Sequence, residues 1–130
     1  MEGPRVLVVD DEPDVLAVLV DVFEAAGYSP WFTTDSREAA RLLETADFHV
    51  VVSNVLMPYL SGLQLLKLAK RRNPDIQVVL VTGNLSQELA IEALNGGASG
   101  IVRKPFNNEE LLAVVSEAIG RRARSGPAGR

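Results

Sequence analysis

The chain has 130 residues, 47% of them hydrophobic and 23% charged, with a formal net charge of −4. That size and mix describe one domain able to bury its own core without staples. The absence of cysteine excludes disulfides, thiol catalysis and thiolate metal sites. The acidic balance argues against nucleic-acid binding by this domain, which lacks a broad basic face for phosphates.

No apolar run approaches the about 20 residues that a membrane span needs. Residues 1–4 lack the charged-then-apolar order of a secretion signal. The expected location is therefore the cytoplasm. Arg121, Arg122, Arg124 and Arg130 cluster at the end of the chain and read as a solvated tail.

Val6, Leu7, Val8 and Val9 form a compact apolar run that ends on Asp10 and Asp11. Pro13 suits a helix first turn. Leu16, Leu19, Val20 and Phe23 then recur at helical spacing until Gly27 supplies a stop. Residues 28–33 read as a short strand. Pro30 marks it as an edge strand, because proline donates nothing to a ladder. Asp35 or Ser36 caps a second helix, with Ala39, Leu42, Leu43 and Ala46 on its inner face. Residues 48–53, with three consecutive valines, form a buried strand, and a loop with Pro58 and Gly62 follows.

Leu63, Leu66 and Ala69 carry a third helix, which Asn73-Pro74 ends. Residues 76–81 are a fully apolar strand, with Thr82-Gly83-Asn84 as its exit loop. Ser86 caps a fourth helix through Ala90, Ala93 and Leu94, stopped by Gly96-Gly97. Residues 100–102 are a last short strand. Asn108 caps a final helix through Leu111, Leu112, Val115 and Ile119. From Ser125 onward the composition is that of a linker. The expected division is one domain over 1–121 and a tail or linker start over 122–130.

Five strand–helix pairs in succession, with continuously apolar strands, imply an α/β fold: a parallel sheet covered on both faces. Five units are too few for a closed eight-fold barrel, so the sheet is open and doubly wound, with right-handed crossovers. Ligands of such sheets bind outside the carboxyl ends of the strands. The residues expected there are Asp10 and Asp11, Ser53 and Asn54, Thr82 and Gly83, and Arg103 and Lys104.

Two adjacent carboxylates suit a hard dication such as Mg²⁺, which takes oxygen ligands and keeps several waters. A lysine and a threonine hydroxyl nearby could hold phosphate oxygens. Taken singly, each feature also has a plain reading. Asp-Asp can be a loop and a helix cap, Thr82 a strand-end hydroxyl, and Lys104 a solvated lysine. His49, the lone histidine, reads as a structural or surface residue, and Met57 and Trp31 as packing residues. The functional reading gains weight because Asp10, Asp11, Thr82 and Lys104 fall on one rim of the expected sheet.

At these residues the chain resembles the CheY-like receiver domains of two-component response regulators. The resemblance rests on V-L-V-V-D-D-E-P at 6–13, N-V-L-M-P-Y-L-S-G at 54–62, V-T-G at 81–83 and G-A-S-G-I-V-R-K-P-F at 97–106. It covers about residues 5–120. It implies a flavodoxin-like (βα)5 fold with strand order 2-1-3-4-5, and a signalling module rather than an enzyme. It implies Mg²⁺ held by Asp10, Asp11, the residue at 54 and the backbone carbonyl of Leu56. Thr82 and Gly83 match the phosphate-sensing hydroxyl and the small residue beside it. Lys104 matches the phosphate-pairing lysine, whose bond to Pro105 is often cis in the family. Implied partners are a sensor histidine kinase, a phosphotransfer protein or an effector. A homodimer would use the last two helices and strand, with Leu85, Leu89 and Ile101 on that face.

Two positions depart from the family pattern. Asn54 stands where the phosphate-accepting aspartate belongs, and a neutral amide is a poor nucleophile toward phosphorus. Strand alternation turns the adjacent Ser53 to the opposite face. Ile101 stands where a switching aromatic is usual, and its β-branch is stiff. The sequence leaves two readings open. Either the chain is a receiver that binds partners unphosphorylated, or it is a phosphorylatable receiver whose acceptor was replaced. A third, a metal-dependent phosphohydrolase, lacks a nucleophile or a second acidic cluster.

Overall fold

A computed structural model describes the backbone of residues 3–124 and the side chains through Arg121. Five strands alternate with five helices. They are β1 (Arg5–Val9), α1 (Pro13–Ala25), β2 (Ser29–Thr33), α2 (Ser36–Thr45) and β3 (Val50–Asn54), then α3 (Gly62–Arg72), β4 (Gln77–Thr82), α4 (Gln87–Asn95), β5 (Gly100–Arg103) and α5 (Asn108–Arg124). The strands form one parallel sheet in the order β2-β1-β3-β4-β5. This is the doubly wound α/β sheet the sequence implies. The edge position expected of Pro30 holds, since β2 pairs only with β1.

The continuous apolar strands are explained by the two faces. Alternate residues of one strand enter different cores. Leu7, Val9, Val51, Val55, Val78 and Leu80 pack under α2, α3 and α4 with Ala39, Leu43, Leu65, Leu66, Ala69 and Ala93. Val6, Val8, Val50, Val52, Val79 and Val81 pack under α1 and α5 with Leu16, Leu19, Phe23, Leu111, Val115 and Ala118. A strand that must satisfy two cores is apolar along most of its length, and buried polar residues such as Ser53 and Thr82 come in only toward its carboxyl end. The expected pairing of Trp31 with the core is seen in its edge-on contact with Phe48, at 5.3 Å between ring centroids. His49 is structural: its Nδ1 accepts a hydrogen bond from the Arg5 backbone N–H at 3.0 Å.

Several boundaries shift. Phe48 is buried but precedes β3, and Thr82 closes β4 rather than opening the loop. Asn108 is the first residue of α5 and not its cap. The Asn107 Oδ1 accepts from the Glu110 N–H at 2.7 Å, so the capping amide lies one residue earlier. Leu94 shares helical spacing with Ala90 yet is exposed, because α4 buries only Ala93. Arg121, expected in the tail cluster, belongs to α5. Its guanidinium donates to the Ser99 carbonyl at 2.8 Å and to Glu117 at 3.0 Å. Residues 125–130, expected as a linker, lie outside the described residues, as do the side chains of Arg122 and Arg124.

Candidate functional site

The strand order sets β1 between β2 and β3, with β4 and β5 beyond, so the carboxyl ends of β1, β3, β4 and β5 share one rim. Asp10 leaves β1 into that rim with only 2% of its side chain exposed. Its two oxygens are divided. Oδ1 accepts the Glu12 N–H at 2.9 Å, and Oδ2 faces the Lys104 Nζ at 3.4 Å. A buried carboxylate requires such partners, since an isolated charge is costly to desolvate. The following residue, Asp11, is half-buried and turns toward β3.

Asn54 ends β3. Its Nδ2 donates to Asp11 Oδ1 at 3.3 Å and to the Leu56 carbonyl at 3.1 Å. Asp11, Asn54 and the Leu56 backbone thus meet at one point, and the Asp10–Lys104 pair closes the β5 side. Among the described residues, no group of three His, Cys, Asp or Glu side chains gathers in a way that could hold a metal ion.

Lys104 arrives by way of β5. Its backbone N–H donates to the Thr82 carbonyl at 2.8 Å, and the bond to Pro105 is cis, as the resemblance implied. Thr82 is buried at the end of β4, where its hydroxyl accepts the Asn84 N–H at 3.1 Å. A Cβ on Gly83 would meet only the Lys104 side chain, at 3.9 Å, so this stretch of the rim is open. Ser53 is fully buried and its hydroxyl donates to the Asn54 carbonyl at 2.9 Å, away from the Asn54 side chain. Ile101 and Leu89 are half-buried and pack against the core under α2, α3 and α4.

One feature of the site carried no sequence signal. Ser36, buried at the start of α2, donates to the Pro58 carbonyl at 2.7 Å and accepts the Leu60 N–H at 3.0 Å. The loop that carries the Leu56 carbonyl is therefore tied to α2. Asp35 is the cap of that helix, accepting the Arg37 N–H at 2.9 Å. The side-chain hydrogen bond from Arg37 holds the Asp35 carboxyl below the usual carboxylate range. Arg37 in turn lies over the Tyr59 ring, 3.7 Å from its centroid. Tyr59 has a φ of 72°, in the left-handed region that few non-glycine residues visit.

Comparison with known proteins agrees with this geometry. The family model for the response regulator receiver domain matches residues 6–116. The response regulator SaeR of Staphylococcus aureus (strain USA300) is 34% identical over 117 residues, covering 90% of this chain and 51% of SaeR. The chain thus spans about half the length of the curated relatives it matches. The crystal structure of a CheY-like receiver domain protein from Methanospirillum hungatei JF-1 superimposes with a TM-score of 0.91 at 28% identity. That match covers 95% of this chain and 98% of that one. The solution structure of the beryllofluoride-activated NtrC4 receiver domain dimer gives a TM-score of 0.85 at 34% identity, over 91% of this chain and 98% of that one. The chain belongs to the response regulator receiver domain family of two-component systems. Domains of this family are signalling modules that meet kinases, phosphotransfer proteins or effector domains. Among the described residues no helix is long and apolar enough to cross a membrane.

Proposed function

We propose that this chain is a receiver whose residue 54 takes no phosphoryl group, and that it signals through protein contacts rather than by aspartyl phosphorylation. The observation that supports this is the Asn54 carboxamide in contact with Asp11 and the Leu56 carbonyl, where the family places its acceptor. The amide nitrogen lone pair is delocalised and the amide oxygen carries no full charge, so neither atom attacks phosphorus usefully. Ser53 is buried with its hydroxyl directed elsewhere and does not substitute.

Asp10, Asp11, Asn54 and the Leu56 carbonyl would hold Mg²⁺. The convergence of the Asp11 and Leu56 oxygens on one point fits a hard cation, although an amide ligand binds it more weakly than a carboxylate. When bound, such a cation neutralises phosphoryl oxygens. In this reading Thr82, Gly83 and Lys104 form the phosphate end of the pocket. Ile101, packed on the core and stiff at χ1, transmits little of any change there. The receiver extends through α5, and the working location is the cytoplasm. Retention of Asp10, Asp11, Thr82 and Lys104 favours a second reading, in which Asn54 replaces an aspartate carried by the parent protein. Both readings give the same behaviour for this chain.

Incubation with Mg²⁺ and acetyl phosphate, read by intact-protein mass, tests this. No phosphoryl adduct forms on the chain, and Asn54→Asp acquires one. An adduct on the unaltered chain overturns the proposal.

The similar NtrC4 receiver is a dimer, and a homodimer of this chain would use the face of α4, β5 and α5. Leu85 is half-buried there, while Ile91 and Leu94 are exposed on α4. If the chain associates, Leu85→Glu weakens that association in light scattering. Unchanged assembly removes Leu85 from the interface.

A further inference from the structure

The Asn54 amide presents a donor where a cation ligand would present an acceptor. Both of its partners, a carboxylate oxygen and a backbone carbonyl, can only accept. The group lying 3.3 Å from one and 3.1 Å from the other is therefore the NH2 and not the oxygen. We propose that the Asn54 NH2 group stands in for the cation of this pocket, bridging Asp11 and the Leu56 carbonyl so that the rim is complete without metal. This deepens the reading of the pocket as a Mg²⁺ site and rests on it.

The physical case has two parts. An aspartate at 54 would place its carboxylate against the Asp11 carboxylate and the Leu56 carbonyl with nothing between them but a bound dication or water. Repulsion among these oxygens makes the metal-free state costly. Asn54 removes one charge and supplies two N–H donors, which satisfy both acceptors at once. The other carboxylate needs no metal either, since Asp10 is already served by Lys104 and the Glu12 N–H. For Mg²⁺ to enter, the carboxamide must turn its oxygen inward and surrender both hydrogen bonds. Binding is thus penalised twice, by the weaker ligand and by the lost bridge.

The test compares the 130-residue chain with Asn54→Asp and Asn54→Ala in EDTA and in graded Mg²⁺. Calorimetric affinity, thermal midpoints and the side-chain NH2 resonances of Asn54, assigned by their loss in Asn54→Ala, are the readouts. In EDTA the unaltered chain melts above both variants. Mg²⁺ raises the midpoint of Asn54→Asp and binds it about tenfold or more tightly than it binds the unaltered chain. The Asn54 NH2 pair is resolved from the exposed amides and stays in place at Mg²⁺ levels that saturate Asn54→Asp. Equal affinity of the two chains, or an NH2 pair that moves at the same Mg²⁺ level, overturns the bridge and leaves the Mg²⁺ pocket standing. Failure of Asn54→Asp to bind Mg²⁺ overturns both the bridge and the pocket. An Asn54→Ala chain as stable in EDTA as the unaltered one also overturns the bridge.

Discussion

One hydroxyl sets the position of the loop beneath the site. Ser36 lies 22 residues from Pro58 and 24 from Leu60 along the chain, and bonds both. Its removal takes one hydrogen bond from the Pro58 carbonyl and one from the Leu60 N–H, which keep only their mutual bond at 3.0 Å, and each lost bond weakens the fold. Ser36→Ala is expected to lose about 1–3 kcal/mol in denaturant unfolding. The backbone amides of 56–60 should exchange faster with solvent than those of α1. A variant with unchanged stability and exchange would show that the loop is held by Tyr59 and Arg37 instead. Asn54 was legible in the sequence because the motif around it fixes its place. Ser36 was not: it looked like one of two adjacent capping candidates, and its real partners are set by how α2 packs beside α3. Asp35 does the capping, and the serine is left free to reach across.

Helix starts carry most of what the local sequence mistook. Ser61 and Gln64 form a reciprocal capping box at α3, each bonding the other's backbone, at 3.2 Å and 2.8 Å. Gly62 follows directly. Its N–H donates to the Val55 carbonyl at 2.8 Å, and a Cβ there would lie 2.5 Å from the Asn54 carbonyl oxygen. That neighbour is backbone at the end of a central strand and has no room to yield. Gly62→Ala is therefore expected to destabilise the chain by about 1–3 kcal/mol, as overpacking does. It should also displace Asn54, seen as a shift of its side-chain NH2 resonances. An alanine at 62 that leaves both unchanged would mean that α3 can pivot away from β3. The glycine could be read from sequence only as loop punctuation, because its close approach is to a strand eight residues back. The caps of α2 and α4 were readable. That of α5 was off by one, because Asn107 and Asn108 offer the same amide and only the chain's path decides between them.

At the scale of the molecule, the open parallel sheet and its two-faced burial follow from pattern, since runs of valine that alternate with helices admit few other solutions, whereas the strand order is what the resemblance to receiver domains implies. What pattern could not give is how tightly the two cores are joined. Each central strand places alternate side chains in both, so a cavity on one face should weaken the sheet that the other face rests on. Phe23 offers a clean probe. It is fully buried in the core under α1 and α5 and edge-on to Tyr28 at 5.6 Å. Phe23→Ala should cost about 3–5 kcal/mol from lost burial and the cavity left behind. Trp31, the single tryptophan, reports from the opposite side of the sheet through its contact with Phe48. If the domain unfolds as one unit, the midpoint followed by Trp31 fluorescence falls as far as that followed by far-ultraviolet dichroism, and the two transitions stay superimposed. A Trp31 transition that holds its original midpoint while helix signal is lost would show the two faces melting separately. The shared valines would then be a seam between two cores rather than a common spine.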